Sequence, residues 1–213
     1  SQCQKPSGLL GRFVLWNMNS RHGKVTDWGL SQVSIDKRAT VLDVGCGGGK
    51  TITKLANMAS EGKVYGVDHS PDAVNMARKI NHESVASGRV EVQEGSVSHL
   101  PFADDMFDVI TAVETHFWWP DLAGDMQEVM RVLKPGGMLV IVAEIYKGAS
   151  TATAKMAEKY AAISGMAFLS EDEHREMFSN AGCINIQIVT DPAKAWICCT
   201  GRKKAASVDA ARV

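Results

Sequence analysis

The sequence lacks the features that would direct a protein to a nucleic acid or a membrane. Its 23 Lys and Arg residues are balanced by 24 Asp and Glu residues, which gives a formal net charge of −1. No excess of positive charge therefore favours a polyanion or an acidic lipid surface. No apolar run approaches the roughly 18 residues of a membrane helix, and the N-terminal residues lack a charged-then-apolar signal pattern. We expect no nucleic-acid partner and no membrane partner.

Cysteine is scarce, and its spacing excludes the common structural sites. The five cysteines are odd in number and form no C-x-x-C pair, so we expect reduced thiols in a cytoplasmic protein and no structural zinc. The six histidines form no pair at the spacing of one helical face. The sequence therefore predicts no metal.

The 213 residues suit one domain in which short β-rich runs alternate with helical runs. This alternation predicts an α/β fold with a doubly wound, mostly parallel sheet. The loop 191–194 is too short for a parallel crossover, so the last two strands should form an antiparallel hairpin. Seven strands are predicted, at residues 41–45, 64–68, 90–95, 107–114, 138–144, 184–190 and 195–201. Helices are predicted at residues 49–59, 70–87, 121–133 and 170–181.

Three segments lie outside this alternation and set the predicted domain boundaries. We expect residues 1–36 to form an N-terminal helical extension. This extension and the insertion described next can each cover the carboxyl edge of the sheet as a lid, or equally serve as packing helices. Residues 37–201 form the main domain, interrupted by an Ala- and Met-rich helical insertion at 145–169. Residues 202–213 read as a polar tail.

The most specific chemical signal is a glycine cluster at the end of the first predicted strand. Residues 41–51 read VLDVGCGGGKT, and glycines at this place let a ligand approach backbone N–H groups closely. A phosphate-binding P-loop requires glycine at position 44, and the dinucleotide pattern requires glycine at position 50; Val44 and Lys50 stand there instead. Asp43 would repel a pyrophosphate and attract an ammonium group.

This segment resembles the first motif of the class I S-adenosylmethionine-dependent methyltransferases. Further similarities follow in the family's order over residues 38–200, including segments 95–102, 107–110 and 131–137. The resemblance is to the small-molecule branch of methyltransferase type 11. It implies a Rossmann-like fold, S-adenosylmethionine as cofactor with S-adenosylhomocysteine as product, and methyl transfer to a small-molecule acceptor by in-line displacement.

The resemblance also implies a cofactor site. Asp68 stands about 20 residues beyond the glycine loop, where an acid accepts hydrogen bonds from both ribose hydroxyls. The family usually has Asp where Ser96 stands, so a serine hydroxyl would meet the adenine amino group here. The expected cofactor-binding residues are Asp43, Gly45, Cys46, Gly47, Gly49, Asp68, His69, Ser96, Val97 and Glu114.

The loop after the fourth predicted strand is the expected position of the acceptor, because ligands of such sheets lie beyond the carboxyl ends of the strands. Residues 114–120 read ETHFWWP, and aromatic rings offer a face to a planar or cationic acceptor. His116 can take a proton from a hydroxyl or an acidic carbon near neutral pH. The expected catalytic residues are His116 and Glu114, of which Glu114 also shapes the cofactor pocket. The expected acceptor contacts are His22, Trp28, Phe117 and Trp118.

Three functions stay open at this point. The leading one is a cytoplasmic small-molecule methyltransferase, monomeric or homodimeric, acting on O, N, C or S. The loop begins with Glu114 and Thr115 rather than Asn/Asp-Pro-Pro-aromatic, which disfavours DNA adenine or protein glutamine methylation. The alternatives are a regulatory module that binds S-adenosylmethionine without transferring its methyl group, and an NAD-binding oxidoreductase.

Overall fold

Seven strands form one sheet in the computed structural model, which describes residues 23–205. They are β1 (Thr40–Val44), β2 (Lys63–Asp68), β3 (Val90–Glu94), β4 (Phe107–Val113), β5 (Leu133–Ala143), β6 (Cys183–Asp191) and β7 (Trp196–Lys203). Their order across the sheet is β3-β2-β1-β4-β5-β7-β6. The pairs from β3 to β5 are parallel, and both pairs made by β7 are antiparallel. The predicted doubly wound sheet with its C-terminal hairpin is confirmed.

Helices cover both faces of this sheet. They are α1 (Gly23–Ser31), α2 (Lys50–Met58), α3 (Pro71–Ile80), α4 (His82–Ala86), α5 (Leu122–Val132), α6 (Ala152–Ser164) and α7 (Glu171–Asn180), with a 3-10 turn at His116–Trp118. The helices α1, α2 and α3 bury apolar side chains on one face, and α5 and α7 do so on the other. None of the helices in the described range 23–205 has the length and apolar character to cross a bilayer.

The parallel strands are apolar because both of their faces are covered. In β1 the last four residues are buried, and in β4 and β5 the central residues are fully buried. Polar residues inside such strands are therefore exceptions that need partners. Asp43 in β1 and Thr111 in β4 are two of them.

The fifth strand begins earlier than the sequence predicts. The predicted strand begins at residue 138, but the preceding segment Lys134-Pro135-Gly136-Gly137 already belongs to β5 and forms a bulge in it. Phe107 pairs with Leu133 while Val109 pairs with Met138, so the extra residues loop out between two paired positions. The predicted polar tail supplies part of the support, because Arg202 donates to the Gly136 carbonyl at 2.8 Å. The strand β7 accordingly runs to Lys203, beyond the predicted boundary at 201.

The predicted helix 70–87 is two helices, α3 and α4, divided at Asn81. The Asn81 side chain is buried, and its Nδ2 donates to the carbonyl oxygens of Gly49 and Ala77, both at 2.9 Å. Its Oδ1 accepts from the Thr53 hydroxyl at 2.7 Å. The start of this helical pair agrees with the sequence, since the Ser70 side chain caps α3 with Pro71 at its first position.

The two segments predicted to cover the sheet edge differ in how firmly they pack. In the described part of the N-terminal extension, α1 lies against β5, and a Cβ on Gly29 would lie 2.5 Å from the Val142 side chain. Within the insertion 145–169, only α6 is helical. Ala154 is the single buried residue of this helix. Met156 and Ile163 of α6 are exposed despite their apolar side chains.

Candidate active site

The carboxyl ends of four neighbouring parallel strands meet at one edge of the sheet, which brings the predicted site residues together. Asp43 of β1 is in register with Gly66 of β2 and with Thr111 of β4. The glycine loop follows β1, Asp68 ends β2, and Glu114 follows β4. A pocket at this edge is the usual ligand position in open α/β sheets.

Asp43 is a buried carboxyl group in which only one of the two oxygens has a hydrogen-bond partner among residues 23–205. Its Oδ1 accepts from the Thr111 hydroxyl at 2.7 Å. Its Oδ2 is buried and has no hydrogen-bond partner among residues 23–205. Burial raises the pKa of Asp43 to about 7, against the lowering effect of the Thr111 bond and with a further increase from the charge of Asp68. Such an atom fits a cationic ligand group, which would pair with it and restore its ionised form.

Two of the loop glycines are required for packing. Gly45 and Gly49 have φ angles of 72° and 85°, a region that residues with a Cβ enter at a cost. A Cβ on Gly45 would lie 2.6 Å from Cγ2 of Thr115, and one on Gly49 would lie 2.7 Å from Cβ of Ala77. These glycines let the loop pack tightly against β4 and α3.

Gly47 differs from its neighbours because it faces open space. Its φ is 51°, and a Cβ built on it would meet no atom within 4 Å. Its N–H donates to Oδ2 of Asp68 at 2.9 Å, and the N–H of Ser70 donates to Oδ1 at 2.9 Å. Each Asp68 oxygen thus accepts one backbone hydrogen bond and retains capacity for a second donor. The open side of Gly47 gives a ligand close access to the loop backbone.

The remaining predicted cofactor residues lie around this edge in different environments. Cys46 is buried, close to where a Cβ of Gly66 would stand, and burial raises the pKa of its thiol well above the usual value. The His69 side chain is half exposed, with Nδ1 3.7 Å from Asp68 Oδ1. Ser96 is exposed and accepts from the Ser98 N–H at 3.2 Å, while Val97 is buried.

Glu114 links the ends of two strands. Its backbone N–H donates to the Val142 carbonyl at 2.9 Å, and its Oε1 accepts a short hydrogen bond from the backbone N–H of Glu144. Its φ of 61° is left-handed, which is uncommon for a residue with a side chain. The next residue, Thr115, donates its hydroxyl to the Val44 carbonyl at 3.1 Å. The start of the loop after β4 is therefore fixed to β5 and β1.

His116 is buried beside a second histidine that the sequence did not indicate. The Nε2 atoms of His116 and His174 are 3.1 Å apart, and each side chain is 1% exposed. Nδ1 of His116 has no hydrogen-bond partner in the described range. Burial is the larger cause that lowers the pKa of His116 well below its usual value, and the proximity of His174 is the smaller one. His116 is therefore neutral at physiological pH, the form that accepts a proton.

The predicted acceptor contacts fall into two groups. Phe117 and Trp118 lie in the turn with His116, where Phe117 accepts a backbone hydrogen bond from Ala167 at 3.0 Å and Trp118 meets the Tyr160 ring at 6.3 Å. Trp28 instead packs against Trp196 at the start of β7, with ring centroids 5.8 Å apart. His22 lies outside the described residues.

Comparison with known proteins adds independent findings. Residues 42–141 match the family model described as a methyltransferase domain, the segment that runs from β1 through β5. This segment is just under half of the chain, and over it the sequence is similar to methyltransferase domains. The chain is 34% identical over 125 residues to methyltransferase GfsG of Streptomyces halstedii, covering 59% of this chain and 45% of that one. It is 37% identical over 113 residues to a demethylmenaquinone methyltransferase of Lactiplantibacillus plantarum, covering 52% and 47%.

A solved structure shares the fold of this protein over nearly the whole chain. It is the complex between the Haloferax volcanii Trm112 methyltransferase activator and a methyltransferase, with a TM-score of 0.78, 21% identity, and coverage of 92% of this chain and 95% of that one. At this identity the likeness concerns the fold. The chain spans about half the length of the curated methyltransferases named above.

Proposed function

We propose that this protein transfers a methyl group from S-adenosylmethionine to a small-molecule acceptor that carries an ionisable O–H or C–H group. The observation that carries the proposal is the buried Asp43 oxygen beside the glycine loop, which has no hydrogen-bond partner among the described residues. A buried carboxylate oxygen without a partner is costly. Pairing it with the ammonium group of the cofactor removes that cost.

Three residues hold the cofactor in this proposal. Asp43 binds the ammonium group, the open backbone at Gly47 accommodates the methionine part, and Asp68 accepts hydrogen bonds from the ribose hydroxyls. When bound, S-adenosylmethionine supplies an electrophilic methyl group on a sulfonium centre, which needs alignment and a dry pocket more than acid catalysis. The residues of this chain orient that group toward the loop after β4.

His116 takes the proton of the acceptor. Its Nδ1 is buried and has no partner within residues 23–205, and its lowered pKa keeps the ring neutral before the reaction. When the methyl group is transferred, Nδ1 is the atom of this chain that would receive the proton lost by the acceptor. Glu114 supports this loop through its bond to the Glu144 N–H.

An acceptor can reach His116 only if its cover moves, because the side chain is 1% exposed. The insertion 145–169 contacts the His116 turn through the Ala167–Phe117 hydrogen bond and the Trp118–Tyr160 ring contact. Its helix α6 buries only Ala154, and a helix with so few buried contacts opens at low cost. We therefore assign α6 the role of a movable cover, whereas Tyr146, Ala149 and Met166 anchor the rest of the insertion in the core. The extension 1–36 stays a predicted second cover.

Aromatic acceptors with a hydroxyl group are the preferred class. The acceptor loop carries Phe117 and Trp118, whose rings can stack on a planar molecule. The name of the Lactiplantibacillus plantarum relative specifies a demethylmenaquinone as its substrate. Hydroquinones, naphthols and phenols combine a planar ring with an ionisable O–H and form the first panel to be tested.

Cofactor binding is tested by calorimetry with S-adenosylmethionine. The wild-type chain should bind it, and Asp68→Ala should weaken binding by about tenfold to a hundredfold, since hydrogen bonds to charged groups contribute about 1.5–3 kcal/mol. Glu91→Gln, at an exposed residue paired with Lys63, serves as a control and should bind as the wild type does. Absence of binding by the folded wild type would refute the proposal.

Turnover is tested by the formation of S-adenosylhomocysteine with the acceptor panel, extended to amines, thiols and carboxylates. His116→Gln should lower kcat about a hundredfold or more with cofactor affinity retained. His82→Gln, in the exposed helix α4, is the matched histidine control and should keep wild-type kcat. Cofactor binding without turnover on any panel member would instead favour a regulatory module, and binding of NAD alone would favour an oxidoreductase.

A further inference from the structure

The buried pair of His116 and His174 joins two parts of the chain that are distant in sequence. His116 belongs to the turn after β4, and His174 lies in the first turns of α7. Their Nε2 atoms are 3.1 Å apart, which requires one of the two nitrogens to donate a hydrogen and the other to accept it. Within residues 23–205 no group of three His, Cys, Asp or Glu side chains is arranged to hold a metal ion. The pair is therefore interpreted as a hydrogen bond between two imidazoles.

The nitrogen that carries the proton in each ring follows from the hydrogen bond that Nδ1 of His174 makes. Nδ1 of His174 is 2.8 Å from the carbonyl oxygen of Ser170, and a carbonyl can only accept, so this nitrogen carries a hydrogen. In a neutral ring Nε2 of His174 then has a lone pair and must accept from Nε2–H of His116. A neutral His116 protonated on Nε2 has its lone pair on Nδ1, the atom without a partner.

The environment keeps both rings neutral and His174 in place. Burial lowers the pKa of each ring, and proximity to His174 lowers that of His116 further; the Ser170 bond and the charge of Glu173 oppose this effect at His174. Glu173 is itself paired with Lys147 at 3.0 Å. Ser170 and Glu173 form a capping box at the start of α7, which fixes the carbonyl that orients His174.

We propose that His174 is a positioning residue, which holds the proton of His116 on Nε2 and so presents the lone pair of Nδ1 to the acceptor. This inference rests on the role of His116 in the proposed function. His174 does not touch the acceptor, and it receives no proton in the reaction. It acts as the hydrogen-bond acceptor that selects the productive tautomer, with Ser170 as the fixed point of the chain.

The first test reads the tautomers directly and needs no substrate. The full chain is labelled with 15N-histidine, and long-range 1H–15N spectra are recorded near neutral pH, with the two residues assigned by His116→Gln and His174→Gln. We expect His116 to be protonated only on Nε2 and His174 only on Nδ1. The opposite tautomer of His116 in the wild type would overturn the positioning role, whatever the enzyme's turnover.

Two substitutions of His174 separate positioning from packing. His174→Gln retains a side-chain oxygen that can accept from Nε2–H, whereas His174→Phe keeps a ring but removes the acceptor. We expect a single His116 tautomer in His174→Gln and a mixture in His174→Phe, with unchanged affinity for S-adenosylmethionine in both. An unchanged His116 spectrum in folded His174→Phe would overturn the inference.

Turnover distinguishes failure of this inference from failure of the proposed function. With a hydroxyl-bearing acceptor taken from the hydroquinone and phenol panel, kcat should fall about tenfold or more in His174→Phe and substantially less in His174→Gln, with KM for S-adenosylmethionine unchanged. If the tautomers are as expected but His116→Gln keeps full turnover, the proposed role of His116 is wrong and the positioning role falls with it. If His116→Gln loses turnover while both His174 variants keep it, only the inference about His174 is wrong.

Discussion

Asp43 and Thr111 stand opposite each other on neighbouring parallel strands, and their side chains share one hydrogen bond of 2.7 Å near the carboxyl edge of the apolar sheet. Thr111 satisfies one oxygen of the carboxylate, and the other oxygen has no partner in the described chain. The hydroxyl thus fixes the orientation of Asp43 without neutralising it. This arrangement leaves a buried site prepared for a positive charge.

Cofactor affinity should depend on the ionisation of Asp43. The pKa of about 7 means that the ligand-free protein carries a protonated Asp43 below neutral pH, and a protonated carboxyl attracts an ammonium group weakly. Calorimetry between about pH 6 and pH 8 should show tighter binding of S-adenosylmethionine as the pH rises. The affinity should increase by less than about tenfold per pH unit, the limit for one titrating group. Asp43→Asn should bind about tenfold to a hundredfold more weakly and lack this component. A pH dependence of equal size in the variant would contradict the assignment.

The same carboxyl should give the ligand-free protein a pH-dependent stability. The folded pKa of about 7 lies above the ordinary value of 3.8, so between these values the folded state binds more protons than the unfolded state. The contribution of Asp43 to the free energy of unfolding therefore falls as pH rises through this window, by at most about 1.4 kcal/mol per unit. Urea denaturation should show that Asp43→Asn gains stability relative to wild type from about pH 5 to pH 8. Glu91→Gln should follow the wild-type curve.

Alanine substitutions should separate the packing glycine from the ligand-facing glycine. Gly45→Ala combines a left-handed backbone with a contact 2.6 Å from Thr115, so we expect a loss of about 2–4 kcal/mol in the free energy of unfolding. Gly47→Ala has the backbone cost alone, about 1–2 kcal/mol, and should chiefly weaken cofactor binding by filling the open side of the loop. Urea denaturation and calorimetry measure the two effects. Equal destabilisation by both substitutions would contradict the distinction.

Asn81 should stabilise the fold far more than Asn75, an exposed asparagine of α3, does. Its side chain makes three hydrogen bonds that connect α2, the glycine loop and α3. Asn81→Ala leaves buried groups unsatisfied and should lower the free energy of unfolding by about 1–3 kcal/mol. Asn75→Ala, at an exposed position of α3, should change it by at most about 0.5 kcal/mol. Thermal or urea unfolding compares them, and similar losses would refute the structural role of Asn81.

Hydrogen exchange should distinguish the cover from the body of the domain. The helix α6 buries one residue, whereas α5 buries five of its 11 residues. We therefore expect amides of α6 to exchange faster than those of α5 when followed by mass spectrometry, because local opening costs less where few contacts are broken. Protection of α6 equal to that of α5 would argue against a movable cover over His116.

The sequence predicts the sheet well because local signals agree with tertiary structure there. Apolar runs bounded by glycine predict the buried parallel strands, and the Ser70-Pro71 pair predicts the start of α3. The proposed cofactor end of the site follows from the same logic, since Asp43, Gly47 and Asp68 stand at fixed positions relative to strand ends. The position of each of these residues is set by the strand end that lies within a few residues of it.

What the sequence does not predict depends on contacts between distant segments. A Lys-Pro-Gly-Gly segment is typical of a turn, and its inclusion in β5 depends on support from Arg202, far along the chain. The break at Asn81 depends on the carbonyl of Gly49. His174 stands alone in its helix and has no local signal, since its partner is 58 residues away.

The left-handed residue at the end of β4 has a consequence for engineering. Glu114 is held by Val142 and Glu144, and Thr115 by Val44, so the chain enters the acceptor loop from a point that the sheet fixes independently of the loop. Residues 117–120 can then be exchanged as a cassette while His116 and the proposed cofactor half of the site stay in place. Chimaeras that keep Glu114, Thr115 and His116 but carry residues 117–120 from another methyltransferase offer a route to altered acceptor choice.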